Sequence, residues 1–413
     1  MTNPTEANAN EPADGAAARI KATPDFLVML IVVTALGPLA MSSFIPSVPD
    51  IQESFGVEIA TAQLTITLSM VSMAVATLLY GPLSDRYGRR PVLLGALALA
   101  IVGSLVGATA QDITTAVIGR ILQAAGGTSG LVLARAIVQD VYGRDNAVSM
   151  LGKVTAAMVV APLIGPTLGG VIADTVGWRG NFAFIAAVTS IVLIAAFFRL
   201  PETNQHRRSV LNMRSMAHDF AELAGCRAYM RYAAYGAVAQ SAFFVLLTNG
   251  PFIMTQVFAR PATEFGLYFS ALPIGFMLGG LLTSRFGTSL GNDRLIYLGS
   301  AAALLGTGLA TGLALAGMWF PLAVFAPMFF LTLGGGFSMP GAQAGSVGAA
   351  ADDRAGAASG MFGFLQMVVA SIMAQTVGLY QGADSPLPTL TAMLAIAVAA
   401  PLVFFALAQR ARR

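Results

Sequence analysis

Charge is what this chain has least of: 10% of its 413 residues are Asp, Glu, Lys or Arg, against roughly 25% in a soluble globular protein. Cysteine occurs once, at Cys226, and histidine twice, at His206 and His218. That scarcity excludes a disulfide framework and a standard Cys/His zinc site. His218, Glu222 and Cys226 are spaced four apart and share one helix face. No second Cys/His element closes a site around them, so they read as an ordinary polar face. No polar stretch is long enough for an extramembrane catalytic or receptor domain. An enzyme, a metal site and a cofactor are therefore not expected. The net charge of +3 is better explained by orientation in a bilayer than by nucleic acid.

Apolar residues, in contrast, make up 56% of the sequence, and mean hydropathy is +0.73. A membrane-crossing helix needs ~20 apolar residues, so twelve take ~240, or roughly 58% of the chain. Uncharged stretches place spans at 26–49, 59–84, 91–111, 180–198, 232–259, 265–284, 355–383 and 385–409. The charge-free stretch 295–351 is too long for one helix. It is expected to fold back at Gly317-Met-Trp-Phe-Pro321, with an aromatic at the interface. Two further spans contain basic residues, 113–138 with Arg120 and Arg135, and 146–173 with Lys153. The expected fold class is an all-α polytopic membrane protein with twelve transmembrane helices in two six-helix pseudo-repeats.

The halves are read as 25–199 and 232–409, joined by a polar central loop at 200–231 and flanked by tails at 1–24 and 410–413. With the N-terminus inside, eighteen Lys and Arg fall in the tails and even-numbered loops and two, Arg179 and Arg260, in the odd-numbered loops. This bias places both termini in the cytoplasm. Met1 to Pro24 has no basic start followed by an apolar core, so it reads as a disordered tail and not as a signal peptide. Gly81-Pro-Leu-Ser-Asp-Arg-Tyr-Gly88 after span two echoes Gly280-Leu-Leu-Thr-Ser-Arg-Phe-Gly287 after span eight. Such repeats mark transporters that hold substrate between their halves near mid-membrane.

Three segments carry the chemistry. In the loop from Gly81 to Pro91, Gly81 and Gly88 permit a tight turn, and Arg86, Arg89 and Arg90 sit where anionic headgroups favour cations. Asp85 can pair with them or with a helix N-terminus, holding the inner side shut. In span four, Arg120 lies eight residues inside Asp112, roughly 12 Å down a helix. A cation at that depth costs ~2.5–3.5 kcal/mol on insertion scales, so it must face a cavity or a partner. Arg135 and Asp140, near the other end of this span, are better placed for a gate. In span five, Pro166 bends the helix, while Gly165, Gly169 and Gly170 allow close approach of a neighbour.

These residues also carry a family resemblance, spanning 26 to 409. The 81–91 loop is similar to the signature loop of the major facilitator superfamily, Gly-x-Leu-x-Asp-Arg-x-Gly-Arg-Arg/Lys. Asp140 matches the acid that joins that loop. The segment Arg120-Ile-Leu-Gln-Ala-Ala-Gly-Gly-Thr-Ser-Gly130 resembles the fourth-helix motif of proton-coupled members. Ala161-Pro-Leu-Ile-Gly-Pro-Thr-Leu-Gly-Gly170 resembles the fifth-helix motif of drug antiporters. Gly177-Trp-Arg179 and Leu200-Pro-Glu-Thr203 fit as well. The segment Ala355 to Gln366 is similar to the Bcr/CflA group of bicyclomycin and chloramphenicol exporters. The resemblance implies a monomeric multidrug efflux transporter of the bacterial inner membrane, exchanging a small-molecule substrate for protons and conferring antibiotic resistance. It also implies that Arg120 organises the pocket and influences proton movement.

One departure stands out. Met41-Ser-Ser-Phe-Ile-Pro46 resembles the family's Ile-Asp-Met-Tyr-Leu-Pro and puts Ser42 where relatives have an intramembrane Asp. No Asp or Glu lies in the middle of any span. This favours neutral or weakly anionic amphipathic substrates near Arg120, recognised by Ser42, Ser43, Gln240, Asn249 and Gln366, each of which serves equally well as a helix-packing hydrogen bond. It also keeps open a metabolite exporter or proton-independent facilitator on the same fold.

Overall fold

In hydrocarbon every backbone N–H and C=O must be satisfied within the segment itself, so the apolar runs become helices. The computed structural model of the chain describes residues 24–204, 213–351, 354–382 and 384–411. Residues 1–23 of the expected tail, 205–212 of the central loop, and 412–413 lie outside the described residues, as does the side chain of Lys153.

Ten described helices are long and apolar enough to cross a membrane. The 54-residue helix Ala262–Leu315 breaks at Gly291, where φ is 74°, and so supplies spans eight and nine. The apolar helix Val160–Val176 is the outer part of span five. The count therefore comes to twelve, in agreement with the sequence. Spans four and five share the helical run Ser129–Val176. That run cannot be one straight rod: Gly130 lies against Val33 and Gly165 against Ser42, close together on span one, whereas the helix between the two glycines would be ~52 Å long if straight.

Turn chemistry sets the boundaries. Gly88, with φ at 103°, separates Ile59–Tyr87 from Arg89–Ala108, a conformation that Cβ-bearing residues rarely adopt. The matching turn in the second half falls at Gly291, four residues past the Gly287 that aligns with Gly88. Asp112 caps Ile113–Gly127 by accepting from Thr115 N at 2.9 Å and Thr115 Oγ1 at 2.7 Å. Those two bonds hold its carboxyl below the ordinary range. Helix Ala262–Leu315 stops before Gly317 and the chain resumes as a helix at Pro321, as expected of the Gly-Met-Trp-Phe-Pro segment.

The face that carries Arg89 and Asp140 is called the inner face, after the sequence expectation, and the face that carries Asp174 and Ala262 the outer one. Buried apolar side chains form three clusters. Two belong to the inner side, one within residues 26–200 and one within 223–404. The third draws on both halves, joining Phe44, Met70 and Phe182 to Phe252, Phe269 and Phe325. The halves are thus packed together toward the outer face and apart toward the inner one.

Lipid is as apolar as a core, so helices associate through close fit more than through the hydrophobic effect. Spans three and four touch backbone to backbone: a Cβ on Gly119 meets Gly107 N at 2.6 Å and Gly107 Cα at 2.7 Å. Gly119→Val is expected to lower the thermal unfolding midpoint in detergent, with an overpacking cost of ~1–3 kcal/mol. Gly312→Ala, where nothing lies within 4 Å, is the control and should leave the midpoint in place. Equal effects of the two would remove the packing argument.

Candidate functional site

On the inner face of the first half, three expected gate residues converge. Arg89 Nη1 donates to Asp85 Oδ1 at 2.5 Å and to Ser84 Oγ at 2.6 Å, and its Nε donates to Asp140 Oδ2 at 3.0 Å. Glu202 completes the group by accepting from the backbone N of Arg89 at 2.9 Å and of Arg90 at 3.4 Å. Its carboxylate thus sits on the positive end of the third span's helix. A Cβ on Gly88 would run into that carboxylate. Asn204 Nδ2 donates to the carbonyls of Ser84 and Asp85, and Thr203 Oγ1 to Asp140 at 3.3 Å.

Sequence reasoning alone misses Ser84, Glu202, Thr203 and Asn204 as members of this group, although the fit of Leu200-Pro-Glu-Thr203 to the family is a signal for two of them. The remaining gate residues stand aside. Arg90 turns to span six, donating to Phe197 O at 2.7 Å, and Arg86 lies over the Tyr87 ring. A Cβ on Gly81 would meet nothing within 4 Å. The second half has its own inner ties: Arg231 Nη2 to Asp293 Oδ2 at 2.7 Å, and Arg354 to Glu222 and Asp219. Glu222 also lies 3.7 Å from His218, while Cys226 Sγ points to Ala349 O.

The outer side is closed by span five. Gly165 and Gly169 press on Ser42 and Ser43 of span one, within the first half. Gly170 reaches across to the second half, where a Cβ would meet Ala262 O at 2.6 Å and Thr263 Cα at 2.7 Å. Gly266 of span eight returns the contact against the Pro166 carbonyl. Asp174 then accepts from Ala262 N at 3.1 Å, Thr263 N at 2.9 Å and Thr263 Oγ1 at 2.5 Å.

Amides and hydroxyls extend this seal along spans two, seven and eleven. Gln63 Nε2 donates to Asn249 Oδ1 at 2.9 Å, Thr67 Oγ1 to Gln375 Oε1 at 2.8 Å, and Gln375 Nε2 to Ala60 O at 2.7 Å. Ser371 Oγ donates to Thr67 O at 2.8 Å.

Between the seal and the inner face lies a cavity of about 660 Å³, walled by both halves, well within the usual size of small-molecule sites. Met41, Met70, Met73, Met339 and Met367 line it with Phe243, Phe244, Phe269 and Phe276. Ser42 and Gln240 are in the wall as well. The Ser42 hydroxyl is already engaged with Pro38 O at 2.8 Å and Ala161 O at 3.2 Å. Gln240 is half-buried, with no hydrogen bond among the described residues.

The other three expected pathway residues are set back from the wall. Asn249 is fully buried in the outer seal. Gln366 points to Met339 Sδ at 3.2 Å. Arg120, 1% exposed, stacks on the Phe44 ring at 3.9 Å and donates to Gln123 Oε1, with Ala40 O at 3.4 Å. No carboxylate faces it among the described residues. The charged residue of the wall is Arg135, which the sequence assigns to the gate side.

The profile of the Major Facilitator Superfamily matches residues 30–374. A bicyclomycin resistance protein homolog of Haemophilus influenzae is 24% identical over 94% of this chain and 98% of its own length. A chloramphenicol resistance protein of Pseudomonas aeruginosa is 30% identical over 72% of this chain and 71% of its own. The crystal structure of a peptide transporter, POT, superposes with a TM-score of 0.76 at 12% identity, covering 96% of this chain and 98% of that one, which speaks for the fold alone.

If the Gly170 approach holds the outer side shut, Gly170→Val should open it. Spin labels at Gln111→Cys and Met318→Cys, on outer loops of opposite halves in a Cys226→Ser background, should give a longer-distance population in electron–electron resonance. An unchanged distance distribution would refute that role.

Proposed function

The chain belongs to the Major Facilitator Superfamily, and from that premise we propose that it exports small amphipathic drug-like compounds by alternating access. The observation that carries this reading is the apolar cavity between the halves, sealed outside by span five and continued inward to the exposed side chains of Arg135 and Gln343. Similarity to proteins named for bicyclomycin and chloramphenicol resistance supports a phenicol- or bicyclomycin-like neutral cargo. The protein acts as a monomer in a bacterial inner membrane with both termini in the cytoplasm, a placement supported by the inside bias of Lys and Arg.

In this reading the two faces alternate. Opening the outer side separates Gly170 and Asp174 from span eight, and closing the inner side brings the 81–91 loop toward the second half. The Asp85–Arg89–Asp140 cluster, with Glu202 on the adjoining helix end, holds that loop as one rigid unit. Removing Asp85 leaves the partly buried Arg89 with Asp140 as its one remaining acid in the cluster. Asp85→Asn is expected to abolish export while the protein stays in the membrane at normal level. Full export by that variant would refute the gating role.

Proton antiport is energetically sufficient. One proton entering down 100 mV releases ~2.3 kcal/mol, and a tenfold gradient of neutral solute costs ~1.4 kcal/mol. A second reading, a metabolite exporter or proton-independent facilitator, is favoured by one observation: no carboxylate lines the cavity among the described residues. Chloramphenicol accumulation in cells with and without the protein separates the two. Lower accumulation that rises on adding a protonophore is the outcome expected for coupled efflux. Lower accumulation that ignores the protonophore favours the facilitator, and no difference removes phenicols as cargo.

A further inference from the structure

Resting on the reading of the chain as an exporter of amphipathic compounds, we propose that Arg135 selects the cargo. Among amphipathic compounds the cavity prefers organic monoanions to their neutral counterparts, the carboxylate pairing with the Arg135 guanidinium while the apolar body lies among Met41, Met70, Phe243 and Phe269.

Arg135 is exposed to the cavity and carries no hydrogen bond or ion pair among the described residues. The described acids of the inner side are engaged elsewhere. Asp140 and Asp85 both hold Arg89. Across the gap, Asp293 holds Arg231, and Asp219 and Glu222 hold Arg354. Arg120 is different: it is enclosed by Phe44, Gln123 and the Ala40 carbonyl and is not available to a ligand.

Charged residues within membrane spans face a water-filled cavity and mark substrate pathways. With no acid in the wall among the described residues, the cavity repels cationic drugs and attracts one negative charge.

Depth gives the orientation of the cargo. Arg135 lies fifteen residues beyond Arg120, ~22 Å along an ideal helix, and five before Asp140, ~7.5 Å. The anionic head therefore rests near the inner mouth. Phe269 begins only seven residues from the outer end of Ala262–Leu315, ~10 Å down that helix, so the apolar body extends toward the outer seal. Gln343, from the second half, is exposed in the same wall and offers its amide across the gap. The cargo thus spans both halves and reports its presence to each.

Chloramphenicol and its hemisuccinate share one body and differ by a carboxylate, which makes them the probes. Binding of each is measured by calorimetry to the full chain in phosphatidylcholine nanodiscs, where no anionic headgroup competes. The hemisuccinate is expected to bind about tenfold tighter than chloramphenicol, the size of a charge-assisted hydrogen bond. Arg135→Gln should erase that preference, bringing hemisuccinate affinity down to that of chloramphenicol, and Arg135→Lys should keep most of it. Because Arg135 is exposed and makes no tie among the described residues, neither change should shift the melting midpoint.

Equal affinity of the unchanged protein for both compounds overturns the proposal but leaves the export reading standing. Equal loss of both in Arg135→Gln assigns the residue a structural role and also overturns it. Binding of neither compound overturns the proposal and removes phenicols as cargo.

Discussion

The contact on which the rest of the structure depends is the approach of spans five and eight, backbone to backbone, at Gly170 and Gly266. It brings the two halves together on one side and leaves them apart on the other, and the cavity is what remains between. A larger residue at either position would hold the helices away, and the hydrogen bonds of Asp174 to Ala262 and Thr263 would lengthen with them. The seal is also weak enough to break. Side-chain hydrogen bonds between membrane helices average about 0.6 kcal/mol. Glycine contact with a few amides therefore suits a surface that must open in every cycle.

The inner side is built on a different principle. Its ties are ionic and lie near the surface, where separated charges can be hydrated, and each stays within one half: Arg89 with Asp85 and Asp140, Arg231 with Asp293. Glu202 and Asn204 pin the end of span six to the turn between spans two and three. Each half then carries its own rigid inner end, matching the separate apolar cores there. Hydrogen bonds and glycine contacts between halves outside, with no ion pair among the ties described there, and ion pairs within halves inside, allow the halves to rock as units.

Much of this is legible in the sequence because hydrocarbon thickness fixes helix length: uncharged runs and the Gly317–Pro321 turn mark the spans and their number. The pairing of Asp85 and Asp140 with the loop arginines follows from the motif, and the close approaches of Gly165, Gly169 and Gly170 from their size. What stays hidden is direction around each helix. Spacing along a helix gives depth, but lipid outside is as apolar as protein inside, so polarity does not tell which face meets the cavity. Hence Asn249 and Gln366 read as pathway residues but lie in the seal and behind Met339, and Arg135 reads as a gate residue but lies in the wall. Glu202 is hidden for another reason. Its role comes from a fold contact across more than a hundred residues, for which the fit of Leu200-Pro-Glu-Thr203 to the family is the one local signal.

The missing span-one carboxylate and an Arg135 with no partner among the described residues have a common energetic meaning. A neutral cargo leaving against its gradient requires an ion to enter, and therefore a titrating group to carry it. A monoanion does not: with the cytoplasm negative, each one exported down 100 mV releases ~2.3 kcal/mol, more than the ~1.4 kcal/mol cost of a tenfold gradient. Arg135 shields the charge inside the cavity but returns with the protein, so one negative charge still crosses per cycle. A cavity with one cation and no acid is thus consistent with transport driven by membrane potential alone, and Ser42 in place of an acid then removes a proton site that such a cycle does not use.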